Sequence, residues 1–170
     1  MKKNFPALIR SQSGASGAEM ALMVPLLLTL MFGSFELGYY FYNEHIVVKG
    51  VRDAARFAGR QPALYLPEPC VSGVLTAAPA PAIDNVARYG KTTVTASDKP
   101  RVFGWSSSVE VMISCADIGT YAGIYKGKTK VPVVTVTARN VPYPSIFKAL
   151  GFTSLGLFLN ASSESAVMGT

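Results

Sequence analysis

Residues 14–60 read GASGAEMALMVPLLLTLMFGSFELGYYFYNEHIVVKGVRDAARFAGR, and this stretch decides how the chain is organised. No charged residue occurs from Ala21 to Phe35, and apolar and aromatic residues continue to Tyr42. Residues 18–42 are therefore long enough to cross the hydrocarbon core of a bilayer, which takes about 20 helical residues. The aromatic cluster at residues 39–42 is typical of the belt at a membrane–water boundary.

This apolar segment can be interpreted as a membrane anchor or as a secretory signal peptide. A signal peptide has its small-residue cleavage site after the apolar core. Here the small residues 13–18 precede the core and bulky aromatic residues follow it, which favours an anchor. Lys2, Lys3 and Arg10 favour a cytoplasmic N-terminus, but the basic residues of 49–60 leave the charge count undecided.

Two acidic residues lie at unusual positions, Glu19 where the apolar run opens and Glu36 within it. A carboxylate inside a span costs roughly 2.5–3.5 kcal/mol on insertion scales and usually has a partner. One interpretation of Glu19 is therefore pairing with a cation of a neighbouring subunit. The alternatives are that Glu19 reaches headgroups or the helix N-terminus, and that Glu36 lies near the outer boundary. Pro25 is expected to kink the helix.

Residues 43–60 continue the helix as an amphipathic segment that ends near Gly59 and Pro62. One face collects six polar residues: His45, Lys49, Arg52, Asp53, Arg56 and Arg60. Four apolar residues recur on the opposite face, which we expect to be the interface with the rest of the chain: Val47, Val51, Ala54 and Ala58.

Residues 61–170 are expected to form a small domain outside the cytoplasm. The proline-rich region 61–82 predicts a connection with little regular structure, and residues 84–89, closed by Gly90, predict a short helix. Residues 142–151 are typical of a crossover loop with one helical turn.

Four further segments have the composition of β-strands, and they are residues 92–96, 109–115, 131–138 and 155–167. Pro132 predicts that its strand begins at a sheet edge. In the last segment one face collects four residues: Leu155, Leu157, Leu159 and Ala161. An antiparallel sheet packed on the outer half of the long helix would cover both apolar faces, so the predicted fold class is α+β.

Cys70 and Cys115 are too far apart for a metal knuckle, and no histidine lies near either of them. Outside the cytoplasm such a pair predicts a disulfide, and the alternative is two separate buried thiols. No nucleophile, phosphate-loop, HExxH or paired-acid motif occurs. We therefore predict no catalytic, cofactor-binding or metal-binding residue, and no enzymatic activity.

Composition limits the number of domains and the kinds of partner that this chain can have. The 170 residues suit one domain with an anchor, and the charged fraction of 15% is below the roughly 25% of soluble domains. The net charge is +6, and three of the basic residues that produce it precede the apolar segment. No run of basic residues with interleaved aromatics occurs. Nucleic-acid binding is therefore not expected.

Residues 14–60 resemble the TadE-like minor pilins, or pseudopilins, of the Tad (Flp) pilus system. The resemblance rests on a glycine, four small residues and a glutamate ahead of an apolar stretch with an early proline. It includes Glu36-Leu37-Gly38 and the motif Ala54-Ala55-Arg56-Phe57-Ala58, whereas Met20 stands where the family usually has an aromatic residue. More loosely, residues 133–144 and 157–168 resemble the family's late strands.

The resemblance implies cleavage by a prepilin peptidase between Gly14 and Ala15. Residues 1–14 would be a basic leader peptide, 15–60 the transmembrane and amphipathic helix, and 61–170 the extracytoplasmic domain. Glu19 would then pair with the new amine of a neighbouring subunit during assembly. The implied partners are other pilins and pseudopilins, the peptidase, the inner-membrane assembly platform and membrane lipid.

The implied location is the bacterial inner membrane, with a single span, a periplasmic C-terminal domain and later incorporation into an extracellular pilus. A competing hypothesis is an unprocessed, membrane-anchored binding module. An enzyme or a nucleic-acid binder is the third, and no site in the sequence favours it.

Overall fold

A computed structural model describes residues 14–65, 70–117, 123–149, 151, 153 and 156–168. The chain divides into two compact units, one ending at Gly38 and one beginning at Tyr39. Residues 1–13 of the expected leader, and Leu155 of the last expected strand, lie outside the described residues.

The predicted long helix is α1, Ala15–Gly59. It continues through Pro25, whose carbonyl accepts a hydrogen bond from the Thr29 hydroxyl at 2.8 Å. The helix ends at Gly59, and the Gln61 amide bonds back to the carbonyl of Ala58. Pro62 then opens the short helix α2, Pro62–Tyr65.

The second unit contains a four-stranded antiparallel sheet in which the strands follow chain order. Its strands are β1 (Gly73–Val74), β2 (Glu110–Asp117), β3 (Lys130–Pro142) and β4 (Phe158–Ala166). Helix α3 (Ala80–Tyr89) precedes β2, and the single turn α4 (Ile146–Ala149) lies between β3 and β4. A long helix with an antiparallel sheet confirms the predicted α+β class.

The core of this unit lies between the outer half of α1, helix α3 and one face of the sheet. Four residues of the predicted helix face are fully buried there: Val47, Val51, Ala54 and Ala58. Val134 and Val136 of β3 and Ile83 of α3 belong to the same cluster and are also fully buried. The alternation along β3 places every second residue in this core.

Two glycines of α1 permit this close packing. A Cβ on Gly50 would lie 2.5 Å from the carbonyl oxygen of Ala87 in α3. A Cβ on Gly59 would lie 2.8 Å from the carbonyl oxygen of Ala166 in β4. The Gly59 carbonyl also accepts the Met168 amide at 2.7 Å, so the end of α1 is bonded to the chain after β4. Backbone approaches this short require residues without a side chain.

A bulge keeps the core face of β3 continuous. The register with β4 shifts between Ala138 and Val141, and Asn140 there has a positive φ of 55°. The Asn140 amide donates to the side-chain oxygen of Asn160 at 2.9 Å, which stabilises this conformation. Ala138 and Val141 are both buried although they are three residues apart.

Two expectations about strands are wrong. Residues 92–96 form bends and turns, because the Asp98 carboxylate accepts hydrogen bonds from the backbone and hydroxyl of Thr95. Hydrogen bonds from Lys91 and then from Thr95 lower the pKa of Asp98 to about 2. Pro132 does not mark an edge, since β3 lies between β2 and β4. Pro132 lies opposite Cys115, close to the start of β3.

The connection after α1 is more regular than expected, since it contains α2 and β1. The helix predicted over 84–89 is present and begins earlier, at Ala80. It ends as predicted at Gly90, which adopts a left-handed conformation with φ 76°. In β4, Leu159 is buried and Ala161 half-buried, while Leu157 lies outside the strand and is exposed.

The disulfide expected between Cys70 and Cys115 is present, with Cα atoms 6.1 Å apart. It joins the connection after α2 to β2. Because β1 comprises two residues, this covalent link is the stronger attachment of the connection to the sheet.

Removal of this disulfide is expected to destabilise the second unit. Replacement of both Cys70 and Cys115 by serine should lower the free energy of unfolding by about 3–4 kcal/mol, because the unfolded chain gains entropy. Denaturant unfolding of the detergent-solubilised full chain reports this through Trp105, the single tryptophan, which is 1% exposed. Reduced wild type should match the double variant. A wild-type midpoint that does not respond to reductant would contradict the expectation.

The close approach at Gly50 gives a second test. Gly50→Ala should lower the free energy of unfolding by about 1–3 kcal/mol, because the backbone of Ala87 cannot yield to the added methyl group. Gly33→Ala is the matched control in the same helix, since an added Cβ there meets nothing within 4 Å. Trp105 fluorescence follows the unfolding of both variants. Equal denaturant midpoints for the two variants would show that the short distance between Gly50 and the Ala87 carbonyl does not limit the residue at position 50.

Candidate functional site

The first half of α1 presents an apolar surface to its surroundings. The side chains described from residue 16 to residue 35 are all exposed. Many are large and apolar, including Leu22, which is 80% exposed, and Phe35, which is 61% exposed. An apolar surface of this extent requires lipid or another apolar partner.

The expected cleavage residues lie at the beginning of this helix. Gly14 immediately precedes α1, and Ala15 is its first residue. Glu19 is exposed and lies beyond the first turn of α1, which contains no acidic residue. Since the effect of the helix dipole falls off within the first turn, this position does not favour the interpretation of Glu19 as a dipole partner.

Small residues leave the start of α1 accessible to a neighbouring helix. A Cβ added at Gly17 would meet nothing within 4 Å, and the same holds for Gly33 and Gly38. These glycines therefore have no packing role within the described chain. Small residues on a membrane helix allow another helix to approach closely.

A run of four aromatic residues, 39–42, directly follows Gly38. The rings of Tyr39 and Tyr42 are stacked with centroids 6.2 Å apart, and Tyr40 meets the edge of Phe41 at 5.9 Å. Tyr40 also packs on Tyr143, which follows β3, at 5.2 Å. This end of β3 is therefore held next to the first residues of the second unit.

A loop between α3 and β2 exposes a single phenylalanine beside Tyr39. Phe103 is 84% exposed, whereas Val102 and Trp105 on either side are each 1% exposed. Gly104 follows Phe103 with a left-handed φ of 83°, which turns the chain sharply between the two buried residues.

Two clefts lie beside Phe103, and Tyr39 contributes to both. One has a volume of about 610 Å³ and also includes Pro142, Tyr143 and Lys148. The other has a volume of about 470 Å³ and also includes Tyr42, Asn43 and Lys99. The sequence did not predict this surface. Its one sequence signal is Phe103 before Gly104, and that signal does not distinguish an exposed ring from a buried one.

Polar contacts fix the loop that carries Phe103. Arg101 donates to the Asp53 carboxylate of α1 at 2.9 Å. Arg88 of α3 donates to the Trp105 carbonyl at 3.1 Å and pairs with Asp84 at 3.1 Å. The other Asp84 oxygen accepts the Val109 amide at 2.8 Å. Ion pairs and core residues thus hold both ends of the loop in place.

The remaining residues considered in the sequence lie apart from this surface or serve the fold. His45 is exposed on the polar face of α1, as predicted. Glu36 is 8% exposed, and Cys70 and Cys115 are bonded to each other. Among the described residues no group of three or more histidine, cysteine or acidic side chains could hold a metal ion.

The helix from Ser16 to Gly59 is long and apolar enough to cross a membrane, and it fits a single-pass anchor. A family model described as TadE-like protein matches residues 14–56. Neither a curated protein nor a solved structure shows a significant match to the chain. The family match begins at Gly14, one residue before α1, and ends within that helix. The resemblance seen in the sequence is therefore confirmed over residues 14–56, where the N-terminal helix of this chain is similar to the TadE-like family.

Proposed function

We propose that the chain is a minor pilin or pseudopilin of a Tad (Flp)-type pilus. In this proposal it is a structural protein and not an enzyme. It is inserted in the bacterial inner membrane by residues 18–42, with the C-terminal domain in the periplasm. The observation that carries the proposal is the coincidence of the TadE-like match with an exposed apolar helix.

The exposed segment of α1 is suited to two successive environments, lipid first and the helices of other pilins afterwards. Before assembly, lipid would surround the side chains of residues 16–35, all of which the fold leaves exposed. After assembly, helices of other pilins would replace the lipid. Gly17 and its small neighbours favour that exchange, because membrane helices associate through close van der Waals packing of small residues.

Cleavage would supply a partner for Glu19. Gly14 lies just before α1 and is exposed, so its peptide bond to Ala15 is at the end of the helix and not within it. Hydrolysis after Gly14 would create an α-amino group at Ala15, and this group is cationic near neutral pH. In a low-dielectric fibre core the exposed carboxylate of Glu19 needs a positive partner, which the amine of an adjacent subunit provides.

The disulfide supports the periplasmic side for the domain. The Cys70–Cys115 bond persists in an oxidising compartment and is uncommon in the cytoplasm. The basic residues Lys2, Lys3 and Arg10 would then remain on the cytoplasmic side, and the basic residues of 49–60 would lie on the periplasmic side, so the disulfide and not the charge count supports this orientation. In this orientation the implied partners are the prepilin peptidase, the inner-membrane assembly platform, other pilins and pseudopilins, and membrane lipid.

The alternative function is an unprocessed, anchored binding module, and the clefts beside Phe103 are the observation that favours it. It requires residues 1–14 to remain attached. It also requires Glu19 to be dispensable, since no subunit interface would form around that residue.

The N-terminus of the chain in its native membrane is expected to be Ala15. Intact-mass measurement or N-terminal sequencing of the protein purified from that membrane determines this directly. Gly14→Leu should block hydrolysis and leave Met1 in place, which provides the control. A wild-type chain that begins at Met1 would favour the anchored binding module. A start beyond residue 40 would identify the apolar segment as a signal peptide.

Glu19→Ala is expected to reduce pilus assembly on the order of 100-fold, because it leaves the amine of a neighbouring subunit unpaired in the fibre. The measurements are pilus number per cell and recovery of the chain with sheared pili. Glu44→Ala is the matched control, as it removes an acid from the same helix beyond the apolar segment. Unchanged membrane levels and an intact disulfide would show that both variants fold. Normal piliation with Glu19→Ala would contradict the assembly role.

A further inference from the structure

The exposure of Phe103 has no explanation in the fold of its own domain. Large apolar side chains on a fixed loop normally turn inward, as Val102 and Trp105 do here. The Arg101–Asp53 ion pair and the Arg88 bond to the Trp105 carbonyl hold the loop in place. The phenyl ring is therefore presented outward by a constrained loop.

The surface around the ring combines apolar and basic groups. Each cleft beside Phe103 includes an exposed lysine, Lys148 in one and Lys99 in the other. No acidic side chain lines either cleft among the residues that the structure describes. Aromatic rings flanked by lysines without acids are typical of protein surfaces that bind the interface of an anionic bilayer.

Chain connectivity places this surface near the end of the apolar segment. Both clefts include Tyr39, the residue that directly follows Gly38. Phe41 and Tyr42 are also exposed, by 49% and 61%. Each helical residue advances about 1.5 Å along the axis, so these rings lie within about one turn of Tyr39. A membrane boundary at this aromatic cluster would lie next to Phe103.

We propose that the surface formed by Phe103, Lys99, Lys148 and the two clefts docks onto the anionic bilayer that holds α1. The Phe103 ring enters the interfacial layer, and the two lysines bind lipid phosphates. This inference rests on the anchoring of the chain in a membrane and does not depend on pilus assembly. The chemistry of the surface favours lipid over a second copy, because two such basic surfaces facing each other would repel.

Lipid quenching of an indole at position 103 tests the proposal. The full-length Phe103→Trp variant is reconstituted into vesicles of phosphatidylcholine and phosphatidylglycerol whose acyl chains carry bromine. The emission of the wild type, which comes from the buried Trp105, is subtracted. The added indole should lose most of its emission relative to vesicles without bromine.

Val71→Trp is the matched control, because Val71 is also exposed, by 70%. It follows Cys70, which is bonded to Cys115 opposite Pro132. The ten residue-to-residue steps of β3 from Pro132 to Pro142 span roughly 33 Å, so this control lies near the opposite end of the strand from Tyr143. Its emission should not respond to bromine.

The charge component has its own test. In the Phe103→Trp background, Lys99→Glu together with Lys148→Glu should remove most of the quenching, as should vesicles of phosphatidylcholine alone. An unchanged disulfide and an unchanged Trp105 unfolding transition would show that these variants retain the fold.

Three results would overturn the proposal. The first is an indole at position 103 that is not quenched, and the second is equal quenching at positions 71 and 103. The third is a blue shift at position 103 that grows with protein density but is insensitive to bromine, which would indicate contact between copies. None of these results bears on the cleavage site or on Glu19, because the vesicles contain no assembly machinery.

Discussion

The fold of the second unit depends on how closely the outer half of α1 approaches its neighbours. At Gly50 the backbone of α1 meets the Ala87 carbonyl of α3, and at Gly59 it meets the Ala166 carbonyl of β4. Side chains at either place would force the elements apart and separate Val51 from the sheet valines with which it shares the core. The core is small. Because the backbones approach so closely at these two glycines, a small number of apolar side chains is enough to exclude water from it.

The same helix serves two different surroundings, and its sequence changes accordingly. From Ala21 to Phe35 the helix carries no charged side chain and every residue is exposed, as suits lipid or other apolar helices. From residue 43 onward one face is apolar and fully buried, while the opposite face carries charge. Within α1 the backbone groups bond to one another, so the apolar half of the helix can lie in lipid without a polar partner for its backbone.

Periodicity revealed the parts of this structure that depend on one segment alone. The 3.6-residue pattern of Val47 and Val51 predicted the buried helix face, and β-branched residues predicted β2 and β3. Residues 92–96 have a similar composition, but the turn around Asp98 prevents a strand there. Composition also could not show that Pro132 lies in a central strand, or that Arg101 reaches Asp53 across 48 positions of the chain. Such contacts depend on tertiary geometry, and so does the exposed position of Phe103.

The proposed membrane docking and the proposed pilus assembly would place opposite demands on the domain. In these proposals, a subunit held on the bilayer by Phe103 and two lysines would have to release these contacts when its helix leaves the membrane. One interfacial ring with two surface lysines gives weak, salt-sensitive binding, since exposed charges are screened at physiological ionic strength. A larger apolar patch would hold the domain more firmly and would oppose extraction. The modest size of the surface around Phe103 therefore suits a contact that orients the domain before assembly and is lost during it.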